Sequence, residues 1–419
     1  MSKFSEVLKN RNFFLLWTGQ IVSEFGERIT QMALIGLAYQ KNPYSAVALA
    51  KLIIFIVVPV FLIGPVAGVY VDRWNRRYTM IASDILRSFF VILIPICLVV
   101  FNKNLAPVYI LVFLVFSMTR FFLPSKMAII PDLVDKEHLL IANSLISTTR
   151  MIATVIGLGL AGILVGIAGP RGGFYINAGT FLFSALMLSF VSVKSHMRLK
   201  KEIIETGYVL EKALARPKIF RQIKEGLKFL RDNKNVRVSL RSLFVVMAGL
   251  GAMSVVTIIF IQECFGSATK EIGFFGMLVG IGLFFGSLLY GRLGHYVEKN
   301  KIIQVSFILS GLAIGAFVLI ARLTHSVSVS GLLAFILGLS GSPIIISSNT
   351  LIHEAIPHDI RGRVFSSVEA VIHVAFLTCM LFAAKAADLA GRVGVLMGCA
   401  GIFILFGVMG IARGKLCKQ

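Results

Sequence analysis

The stretch GVYVDRWNRR, residues 68–77, decides how this chain folds, because it recurs. It joins apolar stretches at 46–70 and 79–101, and it carries Gly68, Asp72, Arg73, Arg76 and Arg77. In the second half GRLGHYVEKN, residues 291–300, joins 270–293 to 301–321 in the same way. Gly291 stands 223 residues after Gly68, as does His295 after Asp72 and Lys299 after Arg76. A looser echo pairs PDLVDKEHLLIANS, from Pro131, with PHDIRGRVFSS, from Pro357. A charged loop repeated at one interval, with apolar stretches around it each time, points to a duplicated unit.

Working outward, the apolar stretches are long enough to cross a hydrocarbon core of about 30 Å, which takes roughly 20 residues at 1.5 Å each. They run over 13–40, 46–70, 79–101, 107–127, 140–168 and 173–194, then 237–261, 270–293, 301–321, 329–352, 364–388 and 393–412. The expected fold is all-α and integral to the membrane, with 12 transmembrane helices in two pseudo-symmetric six-helix bundles. The bundles are expected at 1–194 and 237–419, joined by a cytoplasmic linker at 195–236. Composition agrees: 57% of the residues are apolar and 15% charged, and mean hydropathy is +0.86. A soluble domain is nearer 45–50% apolar and about 25% charged. The first span follows Lys3, Lys9 and Arg11 like a signal peptide. It holds Glu24, Glu27 and Arg28 and shows no small-residue cleavage site, so it is read as a helix of the bundle.

A net charge of +22 would suggest a nucleic-acid partner in a soluble chain. Here it reports orientation, and no nucleic-acid partner is expected. With both termini cytoplasmic, 29 Lys and Arg fall on inside segments and 6 on outside connections. Of the inside set, 13 lie between residues 194 and 237, where Ile219, Ile223, Leu227 and Leu230 alternate with Lys218, Arg221, Lys224, Lys228 and Arg231. That pattern is a basic amphipathic helix suited to anionic lipid head groups. The setting this implies is a multi-pass protein of a bacterial-type plasma (inner) membrane.

GVYVDRWNRR resembles the loop signature of the major facilitator superfamily, departing at Asn75, where the family usually has glycine. Asn tolerates a left-handed turn, so the departure reads as mild. NRNFFLLWTGQIVSEFGERITQMAL (10–34), PDLVDKEHLLIANSL and KEGLKFLRDN (224–233) resemble one branch, the macrolide-efflux and enterobactin-exporter-like proteins among the drug:proton antiporters. The resemblance implies that Asp72 docks at the start of helix 11 and latches the cytoplasmic side shut, with Gly68, Arg73, Arg76 and Arg77 around it. A local Asp–Arg pair is the plainer alternative. TVIGLGLAGIL, from Thr154, is similar to the antiporter signature of helix 5, but Leu158 stands where that signature has proline. Arg120 matches the antiporters' helix 4 arginine, although Phe121, Phe122, Leu123 and Pro124 follow it instead of glycines.

Ionisable residues inside spans cost about 2.5–3.5 kcal/mol on insertion scales, so each needs a partner or an aqueous cavity. Glu24 and Arg28, at i and i+4, are expected to neutralise each other. That leaves Glu27, roughly 20 Å into the helix by its rise, as the freer carboxylate. It is the candidate for proton coupling, with Arg120 tuning it; a fixed structural cluster is the alternative. Asp84 and Arg87 are expected to join the latch, and Arg150 to start helix 5 near the interface. Glu369 and His373 form a second titratable pair at i and i+4. Ser340, Ser342, Ser347, Ser348 and Asn349 make a polar stripe on helix 10, opposite in character to Phe113 and Phe116 on helix 4; these two sets are the candidate cavity walls.

Five scattered cysteines without CxxC spacing and seven dispersed histidines without HExxH support neither a disulfide framework nor a metal site. No cofactor is expected, and without a GxxxxGK[ST] loop neither ATP-driven transport nor an enzyme activity is. The expected function is proton-coupled efflux of amphipathic small molecules, drug- or macrolide-like, by alternating access and as a monomer. The alternatives are an exporter or flippase of an anionic amphiphile, such as a siderophore or lysophospholipid, suggested by Arg28, Arg120 and Arg150, and a transport-dead sensor.

Overall fold

The structure is a computed structural model describing residues 3–71, 74–101, 105–192, 234–294, 297–355 and 361–416. Among these residues there are helices and short connections and no strand. The spans are α1 (Arg11–Lys41), α2 (Ala46–Leu62, continued by Gly64–Val71), α3 (Arg76–Val100) and α4 (Ala106–Leu133). A single helical stretch, Leu139–Ser189, then holds both α5 (139–168) and α6 (170–189). The second half has α7 (Lys234–Phe265), α8 (Lys270–Leu293), α9 (Lys299–Thr324), α10 (Val327–Ala355), α11 (Arg361–Ala390) and α12 (Arg392–Leu416).

Nine helices among the described residues are long and apolar enough to cross a membrane. The difference from twelve has three local causes. Leu139–Ser189 has 51 residues, or about 76 Å at 1.5 Å each, and so is two spans. They meet at Gly169, whose φ of 70° a side chain would strain, followed by Pro170, which cannot donate to the preceding turn. The second span is interrupted at Ile63, between Pro59 and Pro65, so its longest helix has 17 residues. The first carries Glu24, Glu27 and Arg28 in its middle turns.

Local sequence accounts for the starts. Asn10 caps α1: its Oδ1 accepts from the N–H groups of Asn12 and Phe13 at 3.1 Å, while its Nδ2 donates to the Leu133 carbonyl at 2.7 Å. Asn75 caps α3 in the same way, accepting from Arg77 and Tyr78 at 3.1 and 3.2 Å. The left-handed turn expected at Asn75 is therefore absent. Its φ is −65° and ψ 112°, and the amide side chain serves as a helix cap instead.

Two compact units emerge: Met1–Lys41 with Lys51–Leu214, and Asn42–Ala50 with Ala215–Gln419. In the first, Phe13, Leu16, Met80, Phe122, Ile129 and Leu188 form a core. In the second, Val246, Ile303, Phe307, Ile314, Ile344 and Phe403 do, with the Phe307 ring 5.4 Å from that of Phe403. Large apolar side chains such as Ile167, Phe382 and Leu389 point outward, as lipid-facing positions require. The basic helix expected at 218–231 lies outside the described residues.

A buried charge cluster as the candidate functional site

The first unit holds most of the side chains singled out as candidates, and it brings several together. Helix α1 supplies Glu24, Glu27 and Arg28, α4 supplies Arg120 and Lys126, and α5 supplies Arg150. Three partners converge on one oxygen, Glu24 Oε1: Gln20 Nε2 at 3.0 Å, Lys126 Nζ at 3.3 Å and Arg150 Nε at 3.5 Å. The Lys126 side chain is 1% exposed. The register is simple. Because α4 runs antiparallel to α1, Glu24 meets Lys126 and Glu27, one turn on, comes within electrostatic reach of Arg120.

Two expectations are corrected here. Glu24 is neutralised by Lys126 and Arg150, not by Arg28, which donates from Nη1 to Gln31 Oε1 at 2.9 Å and so points a turn further along α1. Arg150 does not start its helix, because α5 begins at Leu139. It therefore lies about 16 Å into the span. Sequence reasoning does not single out Lys126, although Met127, Ala128, Ile129 and Ile130 carry the apolar pattern beyond it. That run was the available signal that the helix continues, and it places Lys126 inside.

Asp84 and Arg87 lie on α3 and pair with each other, at i and i+3, with side chains 0% and 2% exposed. The Arg87 guanidinium is held between two rings, 4.4 Å from the centre of Phe122 and 4.3 Å from that of Phe181. Their other expected latch partners, Asp72 and Arg73, lie outside the described residues, as does the loop before α11. Gly68 falls in the helix Gly64–Val71. Arg76 bonds Asp132 Oδ2 at 2.7 Å and the Ala128 carbonyl at 3.0 Å. Arg77 donates to the carbonyls of Leu188, at 3.1 Å, and Ser189. These two arginines tie the start of α3 to the ends of α4 and α6.

The close approach of α1 to α6 depends on Gly26, where a Cβ would overlap the side chains of Thr180 and Asn177. On α4, Phe116 is closed inside the bundle while Phe113 is half-buried. A groove of about 680 Å³ opens between α3 and α4, lined by Trp74, Tyr78, Thr79, Leu86, Met118 and Phe121 among others. Neither Phe113 nor Phe116 contributes to it.

In the second unit Glu369 and His373 do meet, at 3.2 Å, on an exposed face of α11. Ser347 is buried and donates to the Tyr290 hydroxyl at 2.8 Å, while Asn349 is half-buried. Ser310 and Ser340 join α9 to α10 at 2.9 Å. Arg392 reaches Glu263 at 3.3 Å.

A helical, multi-pass architecture of long apolar spans defines a polytopic integral membrane protein. The family profile described as Major Facilitator Superfamily matches residues 16–377 and 242–414, and the chain belongs to that family. It is 25% identical over 414 residues to the uncharacterized MFS-type transporter YfiS of Bacillus subtilis, covering 98% of this chain and 94% of the relative. It is 24% identical over 393 residues to macrolide efflux protein A of Streptococcus pyogenes, covering 91% and 90%. Among solved structures, a bacterial homologue of the iron transporter ferroportin in an inward-facing state superposes with a TM-score of 0.71 at 16% identity, over 96% of this chain and 98% of that one. That likeness concerns the fold alone.

Proposed function

We propose that this transporter exports amphipathic small molecules from a bacterial-type cell, driven by the proton gradient across the plasma membrane, with both chain termini in the cytoplasm. The observation that carries the reading is the position of Glu27, half-buried in α1 with Arg120 within electrostatic reach. A carboxylate at that depth is costly unless it faces a partner or water, and an intramembrane acid so placed is suited to carrying a proton. The efflux similarity of a relative supports the direction of transport. The two halves would expose the site alternately to each side. Asp72, with Gly68 and Arg73, Arg76 and Arg77, would act as the cytoplasmic latch, and Glu369–His373 as a second titrating pair. In the first unit, Phe113 would line the substrate path.

The test is Glu27→Gln in proteoliposomes under an imposed pH gradient, with a macrolide as the probe. Gradient-driven flux is expected to fall at least about tenfold while exchange of labelled for unlabelled probe continues. Unchanged gradient-driven flux would remove Glu27 from coupling.

A further inference from the structure

Helix α2 belongs to both units: its residues 46–50 fall in the second, and from Lys51 it continues in the first. What holds its start is a carboxylate from the far end of the chain. Asp388 Oδ1 accepts from the Ala46 N–H at 3.1 Å, and Oδ2 accepts from that of Val47 at 3.3 Å. Ser45 Oγ accepts from the N–H of Ala48 at 3.3 Å. Together they satisfy the first turn of α2, whose amides have no partner within the helix. The carboxylate also meets the positive end of the helix dipole.

A second grip acts just before the helix. Arg392 donates from Nη2 to the Tyr44 carbonyl, and Tyr44 holds a φ of 60°, a left-handed backbone that costs any residue with a side chain. The connection between α11 and α12 brings the two grips together. It is the single residue Gly391, at φ 90°, and across it Arg392 Nη2 lies 3.9 Å from Asp388 Oδ1. Glu263, near the end of α7, stands 3.3 Å from Arg392 Nε. Three helices of the second unit therefore converge on residues 44–47. Behind them Ala46, Leu49 and Ala50 are closed over, at most 1% exposed.

The other end of the first unit is open. Each helix from α2 to α5 crosses in the opposite sense to the one before, so the start of α5 lies a whole span away from the start of α2. There Asn143, Ser144, Ser147 and Thr148 share one face of α5 and are all exposed.

We propose that Asp388 and Arg392 form a clasp that keeps the Ala46 end of the transporter shut, and that its release is a step of alternating access. Residues 50 and 51 are covalently joined across the two units. Motion of one unit against the other therefore bends α2 or draws its first turn off Asp388. Release leaves no charge stranded, because Asp388, Arg392 and Glu263 are each partly exposed already. With both termini cytoplasmic, the clasp faces outward. The motion comes from the transport reading above, but the clasp is measurable without any substrate.

The experiment labels the full chain with a membrane-impermeant maleimide, in intact cells for the outer face and in inverted vesicles for the cytoplasmic one. Native cysteines are replaced by serine, and one reporter is added, Ala50→Cys or Ser147→Cys. Thermal stability of each purified variant confirms folding. Losing the carboxylate cap in Asp388→Ala is expected to speed outer labelling of Ala50→Cys about tenfold. Cytoplasmic labelling of Ser147→Cys is expected to slow in the same variant, as the opposite end closes. Asp388→Asn, which keeps the shape and loses the charge, serves where Asp388→Ala does not fold. Arg392→Gln is expected to move both reporters the same way by less. Unchanged labelling of Ala50→Cys in the folded Asp388 variants would overturn the proposal. So would faster labelling there with Ser147→Cys unmoved, since that is fraying of one helix end. Ser45→Ala weakens the same turn without touching the clasp, and its reproducing both changes would overturn the proposal too. Both changes appearing with the two faces exchanged would support the clasp and overturn the cytoplasmic placement of the termini.

Discussion

In the first unit Asp84, Arg87 and Lys126 are buried, and Glu24 nearly so. In the second, the buried polar side chains among the described residues are hydroxyls and amides, among them Ser306, Ser310, Ser340, Ser342, Ser347 and Ser348. The same repeat thus has two interiors. Where one copy has ion pairs the other has small side chains and close helices. On α8 and α10, a Cβ at Gly282 would overlap the Phe335 carbonyl oxygen, and one at Gly338 the Val279 carbonyl oxygen. Such close approach is what small residues contribute in a bilayer, where apolar side chains gain little by leaving lipid. Among the described residues of the second unit no charged side chain is buried as a whole. The charges of the first are then more than a means of holding it shut.

The two interiors differ most at Glu24. Glu24→Gln leaves Lys126 buried without its carboxylate, and losing one member of a buried pair costs about 3–5 kcal/mol. The expected result is a large drop in thermal stability of the purified protein. A change below about 1 kcal/mol would mean that the two interiors differ less than their chemistry suggests. Next comes Gly282→Val, which drives a branched side chain into backbone that cannot rotate away. Overpacking of this kind costs about 1–3 kcal/mol, read as a lower unfolding temperature of the purified protein. The smallest effect is expected for Ser310→Ala, which removes one hydroxyl bond between α9 and α10. Such a bond is worth about 0.5–1 kcal/mol, and a larger loss would show that hydroxyls carry the second unit as charges carry the first.

Most of the fold was legible because it depends on span length and repetition, which are written locally. The expected spans fall on α1 to α12, and the discrepancies are confined to breaks that Pro and Gly impose, as at Ile63 and Gly169. The site was only half legible. That Glu24, Glu27, Arg28 and Arg120 are anomalous follows from their places inside apolar stretches. Who pairs with whom does not, because spacing along one helix makes Glu24 and Arg28 neighbours while packing gives Glu24 to Lys126, 102 residues away. Asn75 shows the same limit at a smaller scale. Its identity fits either a left-handed turn or a helix cap, and only the backbone that follows selects the cap.

The separation of Glu24 from Lys126 also sets an order of events in the making of the protein. Glu24 leaves the ribosome 102 residues before its buried partner. At about 5–20 residues per second that is a delay of roughly 5–20 s. During it the first span carries a carboxylate worth about 2.5–3.5 kcal/mol against insertion. Asp84 and Arg87, one turn apart, emerge together and enter as a neutral pair. The first helix therefore has reason to wait at the insertion machinery until the fourth arrives, so that the N-terminal bundle enters the bilayer as a group rather than helix by helix.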